Sequence, residues 1–177
     1  LIEENADRLA ARDPALLEAV VSRSCEIKAE VVAMDEREDG VRAILNFGHT
    51  VGHALETLAG YGNCLHGEAV AAGMAFAAEV AVVEKGFAAG DSRRIAELLK
   101  RVGLPGDPVG LAGQRPRAEI RDAMASDKKS RNRAPRFVLA QRLVSVVFGC
   151  EVAEEVLEQT WARLGGAPQG GGRVSGQ

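Results

Sequence analysis

The 177 residues are enough for one domain with a real hydrophobic core and too few for two comfortable ones. Apolar residues make up 46% and charged residues 27% of the chain, a balance that is typical of a globular protein and excludes a disordered one. The net charge of −3 argues against a nucleic-acid binder, which would carry a basic face. We also find no apolar run of about 18 residues and no signal sequence, so we expect no membrane span.

Helical periodicity dominates the chain and predicts a mainly α, multi-helix domain over residues 1–164 with one small β-hairpin. Asp13 and Pro14 are a typical cap and first residue of a helix, and the apolar residues that follow predict a buried face. The segment from Leu65 to Lys85 is apolar almost all round, which predicts a central helix. The predicted helices cover residues 1–11, 14–34, 42–59, 65–85, 91–102 (capped by Asp91), 117–126 and 151–164.

The remaining segments are predicted to be connections, a hairpin and a tail. Residues 106–116 are predicted to form a loop, and residues 127–133 a basic one. Two apolar runs at 136–139 and 143–148 flank Ala140-Gln141-Arg142 and predict the hairpin. Residues 165–177 are nearly all Gly, Pro, Gln and Ser and predict a flexible tail.

The cysteine pattern concerns the cellular compartment. Cys25, Cys64 and Cys150 are odd in number and widely spaced, which favours reduced thiols and a cytoplasmic protein. Cys25 and Cys150 lie in apolar surroundings, so we expect them in the core. The chain begins at Leu1, partway into an amphipathic pattern, and we interpret it as a piece of a longer protein.

The three histidines of the chain all fall between His49 and His66. His49 and His53 are four residues apart and so share a helix face, and His66 opens the next helix. Neutral imidazole is the commonest metal-ligating side chain, so this grouping predicts a metal site. The alternative is a set of ordinary core or capping histidines.

A polar stripe precedes the histidines. Arg42 and Asn46 continue the spacing of His49 and His53 along the same predicted helix. Polar groups in a core are costly unless paired, so the stripe indicates a ligand or a metal, although a solvated face would also carry it. Gly48, Gly52, Gly67 and Gly73 interrupt the two helices, and close approach of their backbone to a metal, a ligand or a neighbouring helix would explain them.

Two segments in this region resemble the signatures of 3-dehydroquinate synthases. They are Leu45-Asn46-Phe47-Gly48-His49-Thr50-Val51-Gly52-His53-Ala54-Leu55-Glu56 and Leu65-His66-Gly67-Glu68-Ala69-Val70-Ala71-Ala72-Gly73-Met74. Lys28-Ala29-Glu30-Val31-Val32, Asp35-Glu36-Arg37-Glu38 and Asp127-Lys128-Lys129 follow the order of the family. The resemblance covers roughly residues 16–147.

The resemblance implies an enzyme that converts the seven-carbon keto-acid sugar phosphate DAHP into 3-dehydroquinate and phosphate in the shikimate pathway. It implies NAD as a transient oxidant and a divalent metal, Zn²⁺ or Co²⁺, with His49 and His66 as metal ligands. Lys28 and Arg42 match residues that hold the substrate carboxylate. Asn46, His53 and a lysine of the pair Lys128 and Lys129 match groups around the phosphate. Glu38 and His53 match positions that serve catalysis, Glu38 in proton transfer.

The resemblance also implies a missing half. The family's third metal ligand is a glutamate in an upstream Glu-x-x-Lys segment, which Glu3 and Glu4 do not match, and the NAD-binding domain precedes it. We therefore expect the chain alone to bind zinc weakly and to be inactive, and we expect the full-length enzyme to be a homodimer. The alternatives are another sugar phosphate cyclase, a metal-dependent polyol dehydrogenase of the same superfamily, or a non-catalytic helical interaction module. Lys28 and Arg42 favour a carboxylated substrate.

Overall fold

A computed structural model describes residues 1–37, 40–60, 63–113, 115–125 and 135–165. Its helices are α1 (Ala6–Ala10), α2 (Pro14–Met34), α3 (His49–Ala59), α4 (His66–Lys85), α5 (Ala89–Arg101), α6 (Pro108–Ala112), α7 (Arg117–Ala125) and α8 (Glu154–Arg163). Short 3-10 segments cover Glu3–Asn5 and Val41–Asn46, and strands β1 (Arg136–Arg142) and β2 (Ser145–Glu151) pair antiparallel. The predicted mainly α fold with one small hairpin is confirmed. The predicted tail lies outside the described residues, except for Gly165.

Helix α4 forms the centre of the fold, as its all-round apolar sequence predicted. Ten of its residues are buried, and α3, α5, α8 and β1 pack around it. Phe76 is fully buried and its ring centroid lies 4.6 Å from that of Trp161 on α8. At its start, the Glu68 carboxylate accepts the backbone N–H of Leu65 at 2.9 Å, and at its end Gly86 adopts the left-handed conformation (φ 66°) that terminates a helix.

The length and composition of α4 bear on the expected absence of a membrane span. Among the described helices, α4 is long and apolar enough to cross a membrane, with 20 residues and a mean hydropathy of 1.3. The mean is taken over 18 residues of the helix, and 56% of those residues are buried in the protein. The central helix of a globular protein can be equally long and apolar, because protein instead of lipid surrounds it.

Helix α2 has the predicted bounds but not the predicted burial. Asp13 accepts the backbone N–H of Leu16 at 3.1 Å, which confirms the cap. Only Leu16 and Val31 of the helix are buried, and all ten residues from 21 to 30 are exposed, Cys25 among them. The prediction that Cys25 belongs to the core is therefore wrong, and Cys150 is only half-buried. The reason is that α2 packs mainly on the 3-10 segment Val41–Asn46 and on α1, which cover only a small part of it.

The predicted helix over residues 42–59 is interrupted. Residues 41–46 form a 3-10 segment, and α3 begins only at His49, after Gly48 with φ +83°. A left-handed residue cannot continue a right-handed helix, so the chain changes direction there.

Smaller differences concern element ends. Residues 108–112, predicted as loop, form α6, which Asp107 caps through the N–H of Val109. Helix α5 begins at Ala89, which places Asp91 in its first turn instead of at its cap. The hairpin turn is Leu143-Val144, because Arg142 pairs with Ser145. Strand β2 runs to Glu151, which pairs with Arg136, so α8 begins at Glu154 instead of Glu151.

Candidate metal centre

The three histidines converge at the junction of α3 and α4. The ring centroids of His49 and His53 are 5.4 Å apart, and each of these rings is 5.5 Å from the ring of His66. One ligating nitrogen from each ring lies within 4.8 Å of the other two. His49 is half-buried, while His53 and His66 are exposed. The predicted grouping is thus present in three dimensions.

Direct backbone contact between α3 and α4 positions the histidines. A Cβ atom on Gly73 would lie 2.0 Å from the carbonyl oxygen of Gly48 and 2.8 Å from the nitrogen of Gly52. A Cβ atom on Gly48 would meet Met74 at 2.6 Å, and one on Gly52 would meet the Cα atom of Val70 at 3.0 Å. Three of the four glycines singled out in the sequence therefore allow the close approach that we expected.

Gly67 does not take part in this contact. A Cβ atom added there would have no neighbour within 4 Å. Gly67 therefore makes no close approach to a neighbouring helix, and the expectation that it allows close approach to a metal or ligand stays a prediction.

Hydrogen bonds orient two of the imidazoles in the same way. Nδ1 of His66 lies 2.9 Å from Oε2 of Glu56, and Nδ1 of His49 lies 3.4 Å from the carbonyl oxygen of Phe47. A carbonyl oxygen and an ionised carboxylate can accept a hydrogen bond but cannot donate one. In the neutral rings each Nδ1 therefore carries the proton, and each Nε2 keeps its lone pair. Two ring nitrogens are thereby left as potential metal ligands.

The electrostatics of His49 favour the neutral ring. Burial lowers the pKa of His49 below its ordinary value, the Phe47 carbonyl opposes this shift, and the neighbouring His53 and His66 lower the pKa further. Neutral imidazole is the form that binds metal ions.

A cleft of about 520 Å³ adjoins the cluster between α2 and the 3-10 segment Val41–Asn46. Its lining residues are Ser24, Ile27, Lys28, Arg42, Leu45, Asn46 and His49. Four residues predicted for the site therefore share one cavity. Because α3 begins only at His49, Arg42 and Asn46 do not continue its face, and the single-helix polar stripe was wrong. The change of direction at Gly48 instead brings both the 3-10 segment and the first residue of α3 to the cleft.

The backbone around Arg42 is held by Asp35. The Asp35 carboxylate accepts the N–H groups of Gly40 and Arg42 at 2.9 and 3.0 Å. Nη1 of Arg42 donates to the carbonyl oxygen of Glu36 at 3.3 Å. This arrangement fixes the start of the 3-10 segment beside the cleft. Lys28 is exposed on α2 and lines the same cleft as Arg42.

The other predicted site residues lie outside the described residues. These are Glu38, Lys128 and Lys129. The described chain resumes at Pro135, and the hydroxyl of Thr50 donates to the carbonyl oxygen of Arg136 at 2.8 Å. This bond joins the start of β1 to the residue that follows His49.

The donor set fits a divalent transition metal. Imidazole nitrogen is a preferred ligand of zinc, and zinc sites with two or three histidines and an open position are common in catalysis. His49 and His66 can each present Nε2, and His53 lies as close to both as they lie to each other. Sequence reasoning missed Glu56, the partner of His66, although it is the last residue of the histidine motif.

Comparison with known proteins agrees with the fold and the motifs. A family model described as 3-dehydroquinate synthase C-terminal matches residues 1–130. The 3-dehydroquinate synthase of Pelobacter propionicus is 44% identical over 157 residues, which are 89% of this chain and 43% of that protein. The enzyme of Nitrosococcus oceani is 46% identical over 160 residues (90% and 44%), and that of Geobacter sp. strain M21 is 50% identical over 141 residues (79% and 38%).

A solved structure shares the fold at lower identity. It is the 2-epi-5-epi-valiolone synthase of Streptomyces hygroscopicus subsp. jinggangensis 5008 with NAD⁺ and Zn²⁺ bound, with a TM-score of 0.75 and 22% identity over 92% of this chain and 44% of that one. The chain thus spans less than half the length of the proteins that it matches. With a family model matched over most of its residues, the chain belongs to the 3-dehydroquinate synthase C-terminal family.

Proposed function

We propose that this chain is the metal- and substrate-binding half of a 3-dehydroquinate synthase, which converts DAHP into 3-dehydroquinate and phosphate. The observation that carries the proposal is the cleft in which Lys28, Arg42 and Asn46 adjoin His49 of the histidine cluster. A keto-acid sugar phosphate needs cationic groups for its carboxylate and phosphate, beside a centre that handles its hydroxyls. The cleft and the cluster offer both within one region of the chain.

Lys28 and Arg42 are proposed to bind the substrate carboxylate. They come from α2 and from the 3-10 segment, so a carboxylate in the cleft would be held from two sides. The guanidinium of Arg42 offers a planar fork that matches two carboxylate oxygens, and the ammonium of Lys28 a compact positive charge. Two cations at one end of the cleft would fix which end of the substrate meets the histidines.

Asn46 and His53 are proposed to contact the phosphate, together with Lys128 or Lys129. Asn46 lines the cleft and is exposed, and His53 is exposed on α3. The hydrogen bond from the Thr50 hydroxyl to the Arg136 carbonyl oxygen holds the start of β1 beside α3, and Arg136 follows the two lysines closely in sequence. Glu38 is proposed to move a proton, close in sequence to Arg42.

His49 and His66 are proposed to hold the divalent metal, Zn²⁺ or Co²⁺. Such an ion supplies Lewis acidity that eases deprotonation of substrate hydroxyls. The family's third ligand, a glutamate, and the NAD site would come from an N-terminal half of the enzyme. The role of the present residues is to orient the substrate between the carboxylate end of the cleft and the cluster.

The remaining expectations stay proposals. We propose that the full-length enzyme is a cytoplasmic homodimer with no nucleic-acid or membrane partner. The family of relatives supports a small-molecule substrate.

The test is phosphate release from DAHP by a chimaera. The chain would replace the matching C-terminal segment of the Pelobacter propionicus enzyme, which is 44% identical. With NAD⁺ and Zn²⁺, we expect turnover by the chimaera, none by the chain alone, and a loss of at least about a hundredfold in kcat/KM for Arg42→Ala, since the substrate carboxylate would lose its planar, two-pronged partner and keep only Lys28. Glu97→Ala, an exposed change on α5, is the matched control and should leave the rate unchanged.

Two outcomes would contradict the proposal. A folded chimaera that releases no phosphate from DAHP would remove the activity. A chimaera that turns over a heptulose phosphate without a carboxylate better than DAHP would assign the chain to another sugar phosphate cyclase, because Lys28 and Arg42 would then lack their proposed partner.

A further inference from the structure

Glu56 bridges the two helices that carry the histidines. It lies on α3, one turn after His53, and its Oε2 atom is 2.9 Å from Nδ1 of His66, the first residue of α4. The two residues are ten apart in sequence, so the contact exists only because α3 and α4 pack together. The side chains are 40% and 53% exposed. Exposed ion pairs contribute little to stability, so a purely stabilising role is a weak explanation.

The bond decides which nitrogen of His66 is available. An ionised carboxylate accepts hydrogen bonds and cannot donate one, so the proton of neutral His66 belongs on Nδ1. Nε2 then carries the lone pair, and the ring plane is held by the bond. The Phe47 carbonyl does the same for His49, at the longer distance of 3.4 Å. A carboxylate that fixes the tautomer and orientation of a ligating histidine is a common second partner in zinc sites.

We propose that Glu56 is the positioning residue of the metal centre: by accepting the Nδ1–H of His66 it presents Nε2 of that ring to a divalent transition metal. The metal part rests on the proposed role of His49 and His66. The orienting part does not, because it depends only on the hydrogen bond between His66 and Glu56. In this proposal Glu56 acts through His66 and does not itself bind substrate or metal.

The first experiment measures the tautomer of His66 in the metal-free 177-residue chain. Long-range ¹⁵N–¹H correlation spectra at about pH 8, where imidazoles are largely neutral, separate the two tautomers. The chain has three histidines, so assignment by single variants is direct. We expect mainly the Nδ1–H form for His66, and a shift to mainly the Nε2–H form in Glu56→Ala. A wild-type His66 in the Nε2–H form, or an unchanged spectrum in Glu56→Ala, would overturn the proposal.

The second experiment measures zinc affinity by competition with a chromophoric chelator. We expect Glu56→Ala to bind Zn²⁺ roughly 10- to 100-fold more weakly, the usual cost of losing such a partner. Glu56→Gln keeps an oxygen that can accept Nδ1–H, so its loss should be smaller than that of Glu56→Ala. Circular dichroism checks that both variants keep the helical fold.

Glu68→Gln is the matched control. It removes the same charge two residues from His66, yet glutamine can still accept the N–H of Leu65 and keep the start of α4. We expect its zinc affinity to stay within about threefold of wild type. Equal losses of zinc affinity in Glu68→Gln and Glu56→Ala would show that any lost negative charge near the histidines weakens binding, and would refute a specific role for Glu56.

The two proposals fail separately. If His49→Ala leaves zinc affinity unchanged, the metal assignment of the proposed function is wrong, whatever the tautomer of His66. If His49→Ala abolishes binding and Glu56→Ala does not weaken it, the metal centre stands and the role of Glu56 falls.

Discussion

Gly73→Ala tests whether the α3–α4 backbone contact holds the site together. The new Cβ atom would lie 2.0 Å from the carbonyl oxygen of Gly48, whereas ordinary contacts begin near 3.4 Å. Helix α3 would have to move away by roughly 1 Å or more, because the atoms that the new Cβ meets belong to the backbone of Gly48 and Gly52 and cannot rotate away as a side chain can. Overpacking of this kind costs about 1–3 kcal/mol, and a rigid backbone neighbour favours the upper end. Alanine regains about 1 kcal/mol of helix propensity, so we expect a net loss of about 2 kcal/mol.

Urea unfolding followed by circular dichroism at 222 nm measures this loss in the metal-free chain. Gly90→Ala on α5 is the matched control, since its Cβ would meet nothing within 4 Å, and it should be neutral or stabilising by up to about 1 kcal/mol. Zinc affinity should also fall in Gly73→Ala, because the shift separates His49 from His66. If Gly73→Ala proves as stable as Gly90→Ala, the backbone contact does not constrain the two helices as described.

Two further predictions concern the histidines and the cysteines. His49→Ala should weaken zinc binding by the chain at least about a hundredfold and His53→Ala by less than tenfold, as measured by chelator competition; equal losses would make His53 a metal ligand instead of a phosphate contact. In timed alkylation with peptide mapping by mass spectrometry at pH 8, exposed Cys25 should react well before Cys64, because Cys64 is 9% exposed and burial raises the pKa of its thiol. Faster labelling of Cys64 would show that the α3–α4 junction opens readily.

The sequence predicted elements well where local signals set them. The bounds of α2 follow from Asp13 and Pro14, which cap and open a helix by their own chemistry. The bounds of α4 follow from a segment that is apolar almost all round and ends at Gly86. The break at Gly48 was missed because its cause is not local. That glycine is left-handed and lies against Met74 of another helix.

Burial and partners were harder to predict than elements. Periodicity gave α2 an apolar face, but periodicity does not say what covers such a face. Leu17 and Val21 are 38% and 59% exposed, with no neighbour that buries them among the described residues. The histidine grouping was predictable because all three lie in one short stretch. Glu56 was not, since its contact with His66 depends on how α3 and α4 pack.

The backbone contact at Gly48 and Gly73 also determines how the site would respond to motion. His49 directly follows Gly48, and His66 is on the helix that carries Gly73. The backbone contact between these glycines therefore makes the two rings move together. Repacking of the side chains around Phe76 would leave their separation unchanged. A donor that arrives from any other part of a longer enzyme approaches a pair already set in place. Opening or closing of the cleft would therefore change how many ligands a bound ion has, and would leave unchanged the distance between the two histidines proposed to hold it.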